Sequence, residues 1–145
     1  MPEKRQSAEF EHYSEDSMFI RWKHRQCKQW HYSEEPDITH SAYLVQSVRI
    51  EGNPRQKVIA FLGSYRQKML ERSHLNRMVR ASFWKWCEIR LKQVELSQEE
   101  YQAFCDQMAR QIPPLSDKES LEHEQQEQER RANAYAIMTA LKHGL

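Results

Sequence analysis

The chain has 145 residues, of which 30% are charged, and its formal net charge is +1. This length suits one domain with a hydrophobic core and excludes a multidomain enzyme within these residues. The net charge is the sum of three blocks of different sign: residues 1–17 carry −3, residues 18–94 carry +9 and residues 95–145 carry −5. The middle block would attract a polyanion, unless the acidic blocks fold back and neutralise it.

The cysteine pattern and the hydropathy bear on the cellular compartment. Cys27, Cys87 and Cys105 are odd in number and show no paired spacing, which favours a reducing environment. Residues 1–17 lack the apolar core of a signal peptide, and no apolar run approaches the length of a membrane span. We therefore expect a cytoplasmic protein without membrane contact, whose acidic residues 1–17 are disordered.

The first predicted element in chain order is a strand. Residues 18–25 alternate so that Met18, Ile20 and Trp22 fall on one side and basic side chains fall on the other. Residues 26–40 contain Pro36 and several acids, and they predict a loop.

A β-hairpin is predicted next, over residues 41–64, where two of the three glycines interrupt an apolar alternation. A loop of Gly52, Asn53 and Pro54 sets three cross-strand pairs. These pairs are Val48 with Val58, Leu44 with Leu62, and Arg49 with Lys57. This register gives the hairpin one apolar face and one basic face, and it completes a three-stranded antiparallel sheet that needs a covering helix.

Two helices that cover the sheet are predicted after the hairpin. Residues 73–94 carry two apolar stripes, and Ser97 with Glu100 forms a capping box for a helix that Pro113 and Pro114 stop. The stripes of the first helix are Leu75, Met78, Val79, Phe83 and Trp86, and Trp84, Cys87, Leu91 and Val94. The apolar face of the second helix is Tyr101, Phe104, Cys105, Met108 and Ile112. We expect these side chains in the core.

A third helix is predicted at the C-terminal end, because Ser116 with Glu119 repeats the capping signal. Its first half has almost no apolar stripe, whereas Tyr135, Met138 and Leu141 cluster near its end. We expect these three side chains to dock on a protein partner or on another copy of the chain. The alternative is that this end folds back onto the first helix.

The predicted fold class is α+β, with a three-stranded antiparallel sheet covered by two or three helices and a protruding C-terminal helix. The α+β domain spans residues 18–115, with the sheet over 18–63 and the helices over 73–112. The C-terminal helical arm spans residues 116–145.

Basic side chains interleaved with aromatics are the leading functional signal. Guanidinium and ammonium groups bind phosphate, arginine reads guanine edges, and a flat sheet can enter a major groove. The alternative is that these charges form an ordinary solvated surface. The predicted nucleic-acid-binding residues are Arg21, Lys23, Arg25, Lys28, Arg49, Arg55, Lys57, Arg66, Lys68, Arg72, Arg77 and Arg80. Double-stranded DNA is the partner that this set favours.

A metal site is weakly indicated. His24, Cys27 and His31 have side chains of the ligand type, and His40 or His12 would complete four ligands for zinc. No paired CxxC spacing is present, and exposed imidazoles explain scattered histidines as well. We therefore predict no metal and no cofactor.

Catalysis has little support from the sequence. Acid pairs such as Glu34 and Glu35 are adjacent in sequence, so their side chains diverge. The three glycines, Gly52, Gly63 and Gly144, cannot form a glycine-rich phosphate loop. We therefore predict a protein that is not an enzyme.

The hairpin carries a family resemblance. Residues 40–64, HSAYLVQSVRIEGNPRQKVIAFLGS, resemble a hairpin near the N-terminus of certain insertion-sequence transposases and of small uncharacterised bacterial proteins. In the small proteins the likeness extends to segments similar to SFWKWCEIRLKQV and LSQEEYQAFCDQMARQIPPLS, over residues 18–116. The transposases add a long catalytic domain with three acidic metal ligands, which this chain is too short to contain. The resemblance therefore implies a mobile-element or prophage setting and a DNA-binding module without strand cleavage.

Two functions from different classes remain open on the sequence. The first is a small non-enzymatic DNA-binding accessory protein of a bacterial mobile element. The second is a protein-binding inhibitor, such as an anti-defence factor that blocks a host nuclease complex. The salt dependence of the affinity distinguishes the two functions, because phosphate binding weakens steeply as salt is added, whereas binding at an apolar protein interface does not.

Overall fold

The computed structural model describes residues 17–27 and 36–144. Within these ranges the fold is α+β, with a three-stranded antiparallel sheet and four helices, which confirms the predicted fold class. The strands are β1 (Met18–Cys27), β2 (Asp37–Ile50) and β3 (Asn53–Arg66). The helices are α1 (Gln67–Glu71), α2 (Ser73–Lys92), α3 (Gln98–Ala109) and α4 (Asp117–Lys142).

The strands are longer than the sequence predicts. β2 already begins at Asp37, inside the segment predicted as a loop over 26–40, and it pairs with β1 from Cys27 to Met18. β3 continues to Arg66, three residues beyond the predicted end of the sheet, and passes into the short helix α1, which the sequence did not predict. The predicted disordered segment 1–17, apart from Ser17, lies outside the described residues.

The hairpin turn differs from the predicted three-residue loop. Only Glu51 and Gly52 separate the strands, and both have positive φ angles, 53° and 81°. Two central residues with positive φ are the hallmark of the type I′ turn, whose twist matches that of the flanking strands. Asn53, predicted as a loop residue, therefore belongs to β3 and pairs with Ile50.

The predicted hairpin register is wrong for the same reason. The shorter turn and two irregularities, between Ala42 and Tyr43 and between Leu44 and Val45, change every predicted partner. The observed pairs are Val48 with Arg55, Leu44 with Ala60, and Arg49 with Pro54.

The core lies on one face of the sheet, beneath α2 and α3. The sheet contributes Ala42, Leu44 and Leu62, each fully buried, and the Trp22 ring stacks on Phe83 at 5.9 Å between centroids. Partial burial of Met18, Ile20 and Trp22 against the core confirms the predicted apolar side of β1. The helices contribute Val79, Phe83, Trp84, Cys87, Leu91, Phe104 and Met108, and the turn after α3 contributes Ile112. We call the opposite surface of the sheet the outer face.

Helix α2 buries a narrower face than predicted. Val79, Phe83, Cys87 and Leu91 follow one another at four-residue spacing and are buried, whereas Trp86 is 49% exposed. Met78 is also exposed. Both residues were predicted in the core. They instead lie beside the buried row, on a part of the helix surface that the sheet and α3 do not cover.

Two capping boxes confirm the predicted starts of α3 and α4. The hydroxyl of Ser97 accepts from the Glu100 amide, and Ser116 does the same for Glu119. Helix α3 ends at Ala109, before the two prolines that were predicted to stop it. The chain divides into two compact units between Pro113 and Pro114, so α4 belongs to a unit of its own.

Candidate nucleic-acid interface

The sheet is strongly basic. The residues of the three described strands include seven Lys or Arg and a single acid, Asp37. The Asp37 carboxylate accepts hydrogen bonds from its neighbour Ile38 and from the Lys68 amide at 3.0 Å, so it ties β2 to the start of α1. The basic residues are Arg21, Lys23, Arg25, Arg49, Arg55, Lys57 and Arg66. A surface of this composition generates a positive potential.

Part of the hairpin extends beyond β1. The last β1 pair joins Met18 to Gln46, and the Ser47 amide donates to the Ser17 carbonyl at 3.0 Å. Residues 47–50 and 53–56, joined by the turn, therefore extend past β1 as a two-stranded segment about 13 Å long, at about 3.3 Å per residue. We call this segment, together with the adjoining Gln46–Lys57 pair, the ribbon. Its outer part, from Arg49 through the turn, is exposed.

The ribbon is basic on both faces. Neighbouring residues of a strand point to opposite faces, and the observed pairs place Arg49 opposite Pro54 and Arg55 opposite Val48. Arg49 therefore lies on the outer face, whereas Arg55 and Lys57 lie on the other. The sequence predicted all three on a single basic face, and the two-residue turn is the reason that they separate.

Strand β1 carries three cations on the outer face. Arg21, Lys23 and Arg25 are exposed and alternate with the residues that pack on the core. Arg21 donates from Nη1 to the side-chain oxygen of Gln56 in the ribbon, so its guanidinium reaches across the sheet. Thr39 of β2 pairs with Arg25 on one side and with Arg66 on the other, so the two arginines lie in one row across the sheet. The structure thus gathers the β1 cations, Arg66 and Arg49 on one face.

The predicted nucleic-acid-binding residues that follow β3 in the chain have different roles in the structure. Arg80 donates from Nε to the Pro113 carbonyl at 2.8 Å and from Nη1 to Asn76 at 3.1 Å, so it holds the end of the α3 segment against α2. Arg72 is exposed at the start of α2, and its carbonyl accepts from the Asn76 amide at 2.8 Å. Lys68 and Arg77 lie on α1 and α2 and are partly buried, whereas Lys28 lies outside the described residues.

Two of the candidate metal ligands meet in the structure. The Nδ1 atoms of His24 and His40 lie 2.6 Å apart, and His40 Nε2 lies 2.7 Å from the Gln67 side-chain oxygen. With His40 donating from Nε2 to Gln67, its Nδ1 accepts from His24, and every contact is satisfied with neutral imidazoles. The Cys27 thiol instead contacts the Thr39 hydroxyl at 2.5 Å. Among the described residues no group of three His, Cys, Asp or Glu converges on a metal position; His31 and His12 lie outside them.

The other two cysteines belong to the core, as predicted. Cys87 is fully buried with its thiol 3.4 Å from the Met108 sulfur, and Cys105 is partly buried. Burial raises the pKa of the Cys87 thiol to about 12, so it remains protonated and unreactive at neutral pH.

The predicted partner-binding side chains of α4 are exposed. Tyr135, Met138 and Leu141 each expose more than two thirds of their surface, and no described residue of α4 is buried. Leu121 and Ile137 are exposed as well. The sequence-based prediction omitted both: Leu121 lies in the polar first half of the helix, whereas Ile137 lies between Tyr135 and Met138 within the apolar cluster.

Comparison with known proteins returned no match: no family model, no curated protein and no solved structure matches the chain. Among residues 17–27 and 36–144, no helix is long and apolar enough to cross a membrane. The functional interpretation therefore depends on the charge and geometry of the sheet.

Proposed function

We propose that the chain is a small non-enzymatic DNA-binding protein whose ribbon enters a groove of duplex DNA. The observation that carries this proposal is the composition of the strands, which combine seven basic residues with a single acid that the backbone already engages. A field of this sign concentrates polyanions and makes their binding weaken with salt.

The shape of the ribbon supports the same proposal. The major groove of B-DNA is wide enough for a two-stranded β-ribbon. Within a groove, both faces of a ribbon approach a phosphate backbone, and this ribbon has Arg49 on one face and Arg55 with Lys57 on the other. The β1 cations on the outer face would hold adjoining phosphates.

The biological setting that we propose is a bacterial mobile element or prophage, with the protein acting in the cytoplasm as an accessory factor. The support is the resemblance of residues 40–64 to the transposase hairpin, which includes the entire ribbon. The protein would position DNA or a larger enzyme on it without itself breaking strands.

A second candidate function is protein binding, as in an inhibitor of a host complex. The observation in its favour is the exposure of Tyr135, Met138 and Leu141 on α4, since exposed aromatic and methionine side chains are frequent at protein interfaces. An apolar interface of this kind would depend little on salt, in contrast to the ribbon.

The test of DNA binding uses two triple variants of equal charge change. The ribbon variant is Arg49→Ala, Arg55→Ala and Lys57→Ala. The control variant is Lys85→Ala, Lys92→Ala and Arg110→Ala, which removes three exposed cations of the helices. Fluorescence anisotropy with a labelled blunt duplex measures the affinity of both.

The ribbon variant should lose about a hundredfold in affinity, since three charge-assisted contacts at about 1 kcal/mol each sum to about 3 kcal/mol. The control variant should lose much less. Equal losses in the two variants would show that only the net charge matters and would refute the ribbon as the contact.

A further inference from the structure

A row of cations and aromatic rings crosses the outer face from β1 to β3 and continues around the β3 edge of the sheet onto α2. The Lys23 ammonium lies 4.9 Å from the centroid of the Tyr43 ring, and the Tyr43 and Phe61 rings are 5.3 Å apart. The Arg90 guanidinium lies 5.0 Å from the Phe61 ring and 5.5 Å from the Trp86 ring. We call these five residues the aromatic–cation row.

Two rings of this row, those of Phe61 and Trp86, are exposed, in contrast to the aromatic rings of the core. Phe61 is 40% and Trp86 is 49% exposed, whereas Phe83 and Trp84 are 3% and 7% exposed. Neither of the two exposed rings belongs to the core cluster or packs against it. Arg90 is held in place beside them, because its Nη1 donates to the Leu62 carbonyl at 3.3 Å.

The chemistry of the row fits a nucleic acid with unpaired bases. Aromatic rings stack on bases, each at about 1–3 kcal/mol, and adjacent cations bind the phosphates that join them. A duplex cannot use the rings in this way, because its bases are stacked on each other. A protein partner would also use aromatic and arginine side chains, but the basic strands are complementary to a polyanion.

The row and the ribbon are parts of one continuous surface. Tyr43 and Arg49 lie on the same face of β2, six residues apart, which corresponds to about 20 Å at about 3.3 Å per residue. A strand leaving a duplex at the ribbon would thus reach Tyr43 and Phe61 along the outer face, and Trp86 beyond the β3 edge beside Arg90.

We propose that the aromatic–cation row binds single-stranded DNA by stacking bases on Phe61 and Trp86, with Lys23 and Arg90 binding the flanking phosphates. The proposal rests on the nucleic-acid-binding function above and assigns it a second kind of substrate. The preferred ligand is then a duplex with a single-stranded tail, in which the ribbon contacts the paired part and the row contacts the tail.

The test compares two probes, an oligothymidylate of about 12 nucleotides and a blunt duplex, with the intact chain and the double variant Phe61→Leu, Trp86→Leu. Leucine keeps the side chains apolar and removes the rings. Met78→Ala is the control, because it removes an exposed apolar side chain of α2 outside the row. Circular dichroism confirms that each variant is folded.

We expect the double variant to bind oligothymidylate about tenfold or more weakly per lost ring and to bind the duplex with unchanged affinity. The Met78→Ala control should match the intact chain with both probes. Unchanged oligothymidylate binding by the folded double variant would overturn the proposal. Binding of the duplex but not of oligothymidylate by the intact chain would also overturn it while leaving the ribbon function in place, and failure to bind either probe would remove both.

Discussion

Truncation of Phe83 tests the packing between the sheet and α2. Phe83 is 3% exposed, and its ring contacts those of Trp22, Tyr65 and Trp84 at centroid distances of 5.8 to 5.9 Å. The Phe83 ring also lies against Gly63 of β3, where an added Cβ would lie only 3.1 Å from it. Because these neighbours are rings and backbone that cannot collapse into the space, the cavity left by Phe83→Ala should persist.

The expected cost of Phe83→Ala is about 4–5 kcal/mol, the upper part of the range for a buried phenylalanine. Trp86 is the comparison, since it is half exposed. Half of an aromatic area of about 200 Å² at about 25 cal/mol per Å² gives at most about 2.5 kcal/mol, so Trp86→Ala should cost about 2 kcal/mol or less.

Urea unfolding followed by circular dichroism measures both variants. A difference of more than about 2 kcal/mol in the free energy of unfolding should separate the urea midpoints of the two variants by about 1 M or more. If Phe83→Ala does not fold, Phe83→Leu keeps the comparison possible with a smaller cost. Equal costs for the two alanine variants, or a larger cost for Trp86→Ala, would refute the assignment of the buried face of α2.

Three further predictions concern the turn, a buried thiol and α4. Glu51→Asn should raise the free energy of unfolding by about 0.5–1 kcal/mol, because asparagine tolerates the positive φ of the turn, and a lower urea midpoint would contradict this. The folded chain holds the Cys87 proton up to a pKa of about 12, whereas the unfolded chain releases it near 9.0, so stability should fall as pH rises between these values. Cys87→Ala should flatten that dependence in urea titrations at pH 8 and about 10.5, and an unchanged slope would exclude Cys87 as its source. Deleting residues 118–145 should leave a cooperative unfolding transition, because the first unit ends at Pro113, while lowering the oligomeric mass or partner capture; loss of the transition would show that α4 is needed for folding.

Periodicity predicted the elements of this fold well. Alternation in β1 and the Ser97 and Ser116 capping boxes are local signals, and the structure confirms them. The turn was mistaken because glycine, asparagine and proline all favour loops, so Gly52, Asn53 and Pro54 formed a stronger pattern than Glu51 with Gly52. Glutamate is uncommon at a position with positive φ, so nothing in its residue type indicated the two-residue turn.

The candidate site depended on long-range geometry that the sequence does not contain. The irregularities in the β2–β3 pairing determine that Tyr43 lies opposite Phe61, and the path of α2 brings Arg90 to the edge of the sheet beside Phe61. Trp86 appeared to belong to the apolar stripe with Phe83, because helical spacing alone does not show where the covered arc ends. The basic residues themselves could be listed from the sequence, but their division between two faces of the ribbon could not.

The salt dependence of duplex binding tests the central claim, that the ribbon contacts DNA phosphates, most directly. The logarithm of the association constant is measured against the logarithm of the salt concentration for the intact chain and for the Arg49→Ala, Arg55→Ala, Lys57→Ala variant. Each phosphate contact contributes about 0.9 to the slope, so the variant should have a slope shallower by up to about 2.7. Equal slopes in the two folded proteins, or binding that does not change with salt, would contradict the account.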